Sequence, residues 1–143
     1  MAFPTFTLSF RVDDSDIDRQ GHVNNVVFLR YVQDVAVAHW CAVAQVEIQK
    51  RFTWVVRKHE IEYFRPGLPR DELIARTWVG DPSGATWERF TEISRASDSQ
   101  LLVQARTVWV LLDASNGRPR RIDASVVEGF TESTVNFRAA TDP

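Results

Sequence analysis

The stretch Asn24–Val46, NNVVFLRYVQDVAVAHWCAVAQV, contains neither glycine nor proline, and its apolar residues recur at the spacing of an α-helix. One apolar row advances by four, four, three and four residues, and a second row runs beside it. The first row is Val27, Tyr31, Val35, Ala38 and Ala42, and the second is Phe28, Val32, Val35 and His39. Because the apolar arc is wide, the pattern predicts a long helix that the rest of the protein encloses.

Strand-like segments lie on both sides of this helix. Thr5–Val12 precedes it and alternates apolar with polar residues, and four runs rich in β-branched and aromatic residues follow it. These runs are Phe52–Phe64, Leu73–Val79, Thr86–Arg95 and Leu101–Leu112. Turn-forming residues separate them, which is typical of antiparallel neighbours. The pattern predicts an α+β fold, with a curled antiparallel sheet wrapped around a long central helix.

The remainder of the chain adds no second domain. Asp123 is placed to cap a short last helix that ends near Phe130, and the residues from Thr131 onward form a polar tail that is expected to fray. We find no internal repeat and no low-complexity linker. The length of 143 residues fits one domain, so residues 1–143 are predicted to form a single unit. A one-helix sheet of this kind leaves an edge or face to cover, which favours an oligomer.

Composition excludes several classes of function. The net charge of −2 and pI of 5.9 argue against general nucleic-acid binding. The single Cys41 cannot form an internal disulfide, and it indicates a reducing, cytoplasmic compartment. The N-terminus lacks the pattern of a signal peptide, and we expect no membrane span. The three histidines are not at close metal-ligand spacing, so no metal site is predicted.

An acidic loop, Asp13-Asp14-Ser15-Asp16-Ile17-Asp18, precedes the helix and admits three interpretations. A calcium loop is rejected, because Gln20 and Val27 stand where an EF-hand requires ligands. A structural role is the second interpretation. Acidic side chains stabilise the helix dipole, and Asn24 or Asn25 can cap the first turn.

The third interpretation is catalysis. A carboxylate beside a helix N-terminus can attack a carbonyl or take a proton from an attacking water. The free backbone N–H groups at the helix start can stabilise the oxyanion that forms. With an ordinary pKa near 3.9, an aspartate such as Asp18 is ionised at neutral pH.

The loop and helix start resemble the signature of the 4-hydroxybenzoyl-CoA thioesterase-like family of hotdog-fold enzymes. The resemblance rests on Asp16-Ile17-Asp18-Arg19-Gln20-Gly21-His22-Val23-Asn24-Asn25, with Phe28 and Tyr31 on the next turns. Weaker support comes from Glu60-Ile61-Glu62-Tyr63-Phe64-Arg65-Pro66 and the following Asp71-Glu72-Leu73. The resemblance implies a hotdog fold and hydrolysis of acyl-CoA to free acid and CoA, without metal or bound cofactor. It also implies a homodimer or homotetramer with active sites at the subunit interface.

The resemblance assigns roles to individual residues. Asp18 matches the catalytic carboxylate of the family, and Asn25 matches the position whose backbone N–H polarises the thioester carbonyl. His22 is a candidate for orienting water or the carbonyl, or else for bonding the loop. Phe28 stands where the family often has tyrosine. The His22–Asn25 segment is closer to the fatty-acyl branch, which includes plant acyl-ACP thioesterases.

Several alternatives stay open at this point. Asp16 is a second candidate for the catalytic carboxylate, although the resemblance favours Asp18. His39 is expected to be a core or interface residue, His59 is a weaker candidate to face the substrate, and Cys41 is expected to be buried. The tryptophans are expected in the core or an interface. The rival functions are an acyl-ACP thioesterase, a non-catalytic acyl-CoA-binding domain and a dehydratase.

Overall fold

A computed structural model describes residues 3–131 and the strand at 136–138. The helices are α1 (Asn25–Val43), α2 (Val46–Arg51) and α3 (Ala124–Val127), and single 3-10 turns span Asp14–Asp16 and Glu128–Thr131. The strands are β1 (Phe6–Arg11), β2 (Phe52–Tyr63), β3 (Glu72–Val79), β4 (Thr86–Arg95), β5 (Leu101–Asp113) and β6 (Asn136–Arg138). They form one sheet in the order β2-β5-β4-β3-β1-β6. All neighbours are antiparallel except β6, which is parallel to β1.

The predicted α+β arrangement is confirmed, with one long helix packed against an antiparallel sheet. The bounds of the five long strands agree with the sequence patterns to within a residue or so. The polar tail contains β6, which the sequence pattern did not predict and which pairs with the open side of β1. A three-residue strand is too short to show an alternating pattern. Residues 132–135 and 139–143 lie outside the described residues.

One side of α1 packs against the sheet and the other side is uncovered. Its buried residues recur at intervals of three and one, as on one helix face: Phe28, Tyr31, Val32, Val35, Ala36 and His39. On the opposite side Val26 and Val37 are 70% and 54% exposed. Cys41, which was expected to be buried, is exposed because it also lies on this uncovered side. The chain's own sheet therefore covers only part of the wide apolar arc.

The helix ends earlier than the sequence pattern suggested. The prediction ran to Val46, whereas α1 stops at Val43 and Ala44 is extended, with φ −85° and ψ 134°. A Cβ on Gly129 would overlap the carbonyl oxygen of Val43, so only glycine allows the last 3-10 turn to pack here. The side-chain amide of Gln49 donates to the free carbonyl of Ala44 at 2.8 Å. These tertiary contacts terminate the helix without a local breaker.

By length and composition alone, α1 is apolar enough to cross a membrane, since an 18-residue window has a mean hydropathy of 1.3. The sequence holds no unbroken apolar run of that length, and the expectation of no membrane span rested on this. A core helix passes the same test, and α1 buries one face against its own sheet. Arg30 and Asp34 lie near its middle and form a weak ion pair at 3.8 Å on its surface.

Strand β2 forms one edge of the sheet and pairs only with β5 among the described strands. The register shifts between Val56 and Lys58, which makes Arg57 a bulge near the middle of the strand. The half of β2 before the bulge lies beside the C-terminal part of α1. The other half ends at Tyr63, whose hydroxyl donates to the Asn25 carbonyl at 3.0 Å.

Candidate active site

A short hairpin connects the 3-10 turn at Asp14–Asp16 to α1. Ile17 and Val23 face each other as an antiparallel bridge, and the Asp18 N–H donates to the His22 carbonyl at 2.8 Å. The chain reverses at Gly21, whose φ of +81° is in the left-handed region that favours glycine. The Gly21 N–H closes the turn on the Asp18 carbonyl at 3.1 Å. The hairpin therefore holds Asp18 and His22 side by side, just before the helix.

The Asp18 carboxylate is half-buried and is held by one of its two oxygens. Oδ1 accepts hydrogen bonds from the backbone N–H of Gln20 at 2.8 Å and, more weakly, of His22 at 3.4 Å. Within the described residues, no group donates to Oδ2. A carboxylate with one oxygen fixed and one free is suited to act as a base or nucleophile.

Asp16 has a different environment, although it lies only two residues away. It is 4% exposed. Its Oδ2 accepts from the Tyr31 hydroxyl at 2.7 Å, and its Oδ1 accepts from Arg30 Nη2 at 2.9 Å. Burial, and then the hydrogen bond to Asp16, raise the pKa of the Tyr31 hydroxyl far above its usual range. Both oxygens of Asp16 are occupied, so this carboxylate tethers the loop to α1.

The first turn of α1 leaves one backbone N–H without a partner. The Asn24 side chain caps the helix by accepting from the Val26 N–H at 3.0 Å, as one of the two predicted caps. The Asn24 carbonyl accepts from the Val27 N–H at 2.9 Å. In the part of the chain that the structure describes, nothing accepts from the Asn25 N–H. A free donor at a helix start attracts a developing negative charge.

The turn after β2 packs against the hairpin. The Val23 N–H donates to the Gly67 carbonyl at 2.8 Å, and a Cβ on Gly67 would lie 2.7 Å from Val23 Cγ2. Arg95 stabilises this turn with two hydrogen bonds. Its Nε donates to the Asp71 carboxylate at 2.8 Å, and its Nη2 donates to the Pro66 carbonyl at 2.6 Å. These contacts pack the second segment of the family resemblance against the hairpin that carries Asp18.

An apolar pocket lies remote from this loop. It has a volume of about 280 Å³ and lies between the middle of α1, the start of β2 and the facing sheet. Its lining includes Trp40, Trp54, Trp87, Trp109, Phe130 and Arg89. As expected, Trp87 lies in the core, and Trp40 and Trp54 pack against the same core cluster. These three and Trp109 also line the pocket. The pocket lies about 20 Å along α1 from Asn25, at 1.5 Å per residue.

The profile of the Thioesterase-like superfamily matches residues 12–130, which is most of the chain. The chain belongs to this superfamily. Among its curated relatives is the acyl-CoA thioester hydrolase YbgC of Escherichia coli O157:H7. The two are 27% identical over 130 residues, which cover 89% of this chain and 96% of that protein. The prediction of a thioester hydrolase is confirmed by these matches.

Solved structures of thioesterases share the fold. A thioesterase from Thermus thermophilus, solved with coenzyme A and Zn, has a TM-score of 0.74 and 25% identity, and covers 90% of this chain and 92% of that one. The 1,4-dihydroxy-2-naphthoyl-CoA thioesterase Slr0204 from Synechocystis has a TM-score of 0.75 and 21% identity, and covers 88% and 95%. The predicted hotdog fold is therefore confirmed.

The three histidines of this thioesterase-like chain have distinct surroundings. The His22 side chain is half-buried and forms no hydrogen bond with any described residue, whereas its backbone closes the hairpin. His39 is buried, as expected, and accepts from Arg89 Nη1 at 2.9 Å. His59 is half-buried on β2, and its Nδ1 lies 2.9 Å from Thr107 Oγ1. The hairpin thus places Asp18 next to His22, and Asn25 is the first residue of the helix that follows.

Sequence reasoning missed Arg89 as a pocket residue. The signal was available, because Arg89 occupies an inward position of an alternating strand between Trp87 and Thr91. A charged residue on the apolar face of such a strand is uncommon enough to mark a site.

Proposed function

We propose that this protein hydrolyses acyl-CoA thioesters with Asp18 as the reacting carboxylate and the Asn25 N–H as the oxyanion donor. The observation that carries the proposal is that both groups lie on one short segment, the hairpin and the helix start that follows it. The free Oδ2 of Asp18 and the unpaired Asn25 N–H flank the same hairpin, while Asp16 anchors that hairpin to α1. Membership of the superfamily and the relationship to an acyl-CoA thioester hydrolase support the choice of thioester.

The reaction follows from these positions. Asp18 takes a proton from a water molecule whose oxygen attacks the thioester carbonyl carbon, and the Asn25 N–H stabilises the negative oxygen. The C–S bond then breaks, the CoA thiolate receives the proton, and the free acid leaves. In the alternative route Asp18 itself attacks and forms a mixed anhydride, which water then hydrolyses. His22 lies beside Asp18 with a free ring and is proposed to orient the water or the carbonyl.

We further propose that the active site is completed by a second copy of the chain. Within a single chain the loop and the apolar pocket lie about 20 Å apart along α1, which is too far for a short or aromatic acyl group to join. β2 is an open edge of the sheet, so two copies of β2 can pair in an antiparallel way about their middles. The start of β2 in one copy then lies beside the end of β2 in the other. The pocket at Trp54 then adjoins the partner's Tyr63, and with it the partner's Asn25 and Asp18.

The relationship to an acyl-CoA thioester hydrolase supports CoA over an acyl carrier protein as the carrier. Both carriers are anionic, so the net charge of −2 does not separate them. The cations on the outer face near β2 are partly neutralised, since Lys58 and Arg106 both pair with Glu60 at 2.9 Å and 3.4 Å. The cytoplasmic location and the choice between dimer and tetramer stay predictions.

An assay over a panel of acyl-CoAs tests the catalytic assignment. We expect Asp18→Asn to lower kcat by at least about a thousandfold, on the scale typical of lost base or nucleophile function. Asp14→Asn is the matched control, because Asp14 is exposed and lies on the same loop with the same chemistry. Hydrolysis of the best substrate by Asp18→Asn within a few-fold of wild type contradicts the assignment.

Single-turnover hydrolysis in oxygen-18 water tests the anhydride route. Label that appears in the Asp18 carboxylate supports the anhydride. Label found only in the released acid means that water attacked the acyl carbon, either in the thioester or in the anhydride. If an acyl-ACP substrate is hydrolysed faster than the matching acyl-CoA, the proposed substrate becomes an acyl-ACP thioester.

Subunit mixing tests the shared site. Asp18→Asn removes the carboxylate, and Ala36→Phe fills the pocket that Ala36 lines. After exchange of subunits in equal amounts, mixed dimers contain one site with both changes and one with neither, so about a quarter of wild-type activity returns. If the mixture shows only the mean of the two separate activities, loop and pocket belong to a single chain's site.

A further inference from the structure

The aromatic pocket contains a buried cation that no acidic side chain neutralises. Arg89 is 5% exposed, and among the described residues no aspartate or glutamate pairs with it. Its Nη1 donates to His39 Nδ1 at 2.9 Å and to Thr77 Oγ1 at 3.0 Å. The Phe130 ring lies 5.9 Å from the guanidinium carbon. A buried charge without a counterion is unfavourable, so its retention needs a reason.

Both hydrogen-bond partners of Arg89 are neutral. Burial, and the nearby guanidinium, lower the pKa of His39 to about 3, so its ring is uncharged and Nδ1 can accept. The Thr77 hydroxyl accepts from Arg89 and donates onward to the Phe90 carbonyl at 2.8 Å. Burial lowers the pKa of Arg89 to about 9, which leaves the group cationic at neutral pH.

The unused part of the guanidinium has the geometry of an anion site. His39 and Thr77 both contact Nη1. The edge formed by Nε and Nη2 has no hydrogen-bond partner in the described part of the chain, and Arg89 lines the pocket. Two parallel N–H groups on such an edge match the two oxygens of a carboxylate. Four tryptophans supply the surrounding apolar walls.

We propose that the acyl group accepted by this enzyme carries a carboxylate at its distal end, which binds the free edge of Arg89 on the floor of the aromatic pocket. This inference rests on the proposed function, because it assumes that the thioester lies at the partner's loop while the far end of the acyl group enters this pocket. The carboxylate supplies the counterion that the chain lacks. An uncharged acyl group leaves Arg89 unpaired in a drier site, and so binds less well.

Matched substrate pairs test the preference. Adipyl-CoA and hexanoyl-CoA have the same chain length and differ by the terminal carboxylate, and 4-carboxybenzoyl-CoA and benzoyl-CoA are the aromatic pair. We expect kcat/KM to favour the carboxylate member of at least one pair by about tenfold or more, as expected for a charge-assisted hydrogen-bonded contact. The two pairs distinguish an aliphatic from an aromatic acyl body. Equal or lower values for both carboxylate substrates overturn the proposal.

Substitution of Arg89 tests the residue. Arg89→Met is expected to remove the preference, and Arg89→Lys to retain part of it through charge without the fork. Arg76→Met is the matched control, since Arg76 is an exposed arginine on the neighbouring strand β3. Replacement of a lone buried charge by an apolar side chain of similar length is expected to leave the fold intact, which circular dichroism checks. A preference that survives in Arg89→Met contradicts the assignment.

A binding measurement separates this inference from the hydrolase proposal. Benzoate and benzamide are similar in shape and differ in charge, and neither requires catalysis. Titration followed by NMR and tryptophan fluorescence is expected to show benzoate binding at least about tenfold more tightly in wild type, and the two binding alike in Arg89→Met. If benzoate binds in this way but no thioester is hydrolysed, the proposed reaction is wrong and the anion site stands. If benzoate shows no advantage, the anion site is wrong whatever the activity.

Discussion

Removal of the Tyr31 hydroxyl tests whether Asp16 is a structural tether. Tyr31→Phe deletes one hydrogen bond to a carboxylate that is 4% exposed, at 2.7 Å. Hydrogen bonds to charged groups contribute about 1.5–3 kcal/mol, and the loss leaves a buried oxygen unpaired. The second partner, Arg30, is 54% exposed, so its ion pair is screened and contributes about 0–1 kcal/mol. We therefore expect Tyr31→Phe to lower the free energy of unfolding by about 2 kcal/mol and Arg30→Met by less than half as much.

Urea denaturation at pH 7 and one fixed protein concentration measures these changes, because oligomers unfold in a concentration-dependent way. A double-mutant cycle with Asp16→Asn isolates the interaction between Asp16 and Tyr31, for which we expect a coupling of about 1.5 kcal/mol or more. The reasoning is refuted if Arg30→Met costs more than Tyr31→Phe, or if the coupling is below about 0.5 kcal/mol.

The same pair predicts a pH dependence in the alkaline range. The folded state raises the pKa of Tyr31, whereas the unfolded tyrosine ionises near pH 10. Its stabilising contribution is thus complete below about pH 10 and is lost as the pH rises further. The difference in unfolding free energy between wild type and Tyr31→Phe should shrink over this range. A difference that stays constant to pH 11 would contradict it.

Three further predictions concern buried contacts. The pKa of His39 is lowered to about 3, so its contribution to the free energy of unfolding is complete above about pH 6.5 and falls by up to about 1.4 kcal/mol per pH unit below it. His39→Gln should therefore flatten the dependence of the unfolding free energy on pH between pH 7 and 5. Parallel pH dependences for variant and wild type would contradict this. Gly67→Ala forces a Cβ against Val23, so thermal denaturation should show a loss of about 1–3 kcal/mol and kcat should fall; unchanged values would argue against the close contact. Asp71→Asn weakens the pair with Arg95, whose side chains are 14% and 11% exposed, and should cost about 2–4 kcal/mol in urea denaturation; a cost below about 0.5 kcal/mol would mean that the turn does not depend on it.

The sheet was predictable from sequence because local chemistry determines it. Turn residues separate β3, β4 and β5, and buried positions alternate along β3 and β4. The end of α1 was not predictable in this way. Ala44 and Gln45 are compatible with a helix, and the chain turns there because Gly129, far along the sequence, packs against Val43.

The chemistry of the loop was only partly readable. Composition showed a cluster of acids before the helix, and the family resemblance singled out Asp18. Nothing in the sequence revealed that Asp16 is buried against Tyr31, because that contact depends on the hairpin folding back over the second turn of α1. The assignment of Asp18, His22 and Asn25 stays a prediction, which the free Oδ2 and the unpaired Asn25 N–H support.

The apolar surface of α1 is easier to understand with two partners than with one. Val35 is sealed against the chain's own sheet, whereas Val26 and Val37 lie on the opposite side and are 70% and 54% exposed. One exposed valine needs no explanation, but these two are three helical turns apart on one stripe, and Val37 also lines the pocket. In a monomer that stripe would be exposed to water. The pocket would have no reacting carboxylate beside it, and Asp18 would have no pocket beside it for the acyl group. The proposed contact along β2 sets the pocket beside the partner's Asp18, so conditions that separate the subunits should abolish hydrolysis before they unfold the chain.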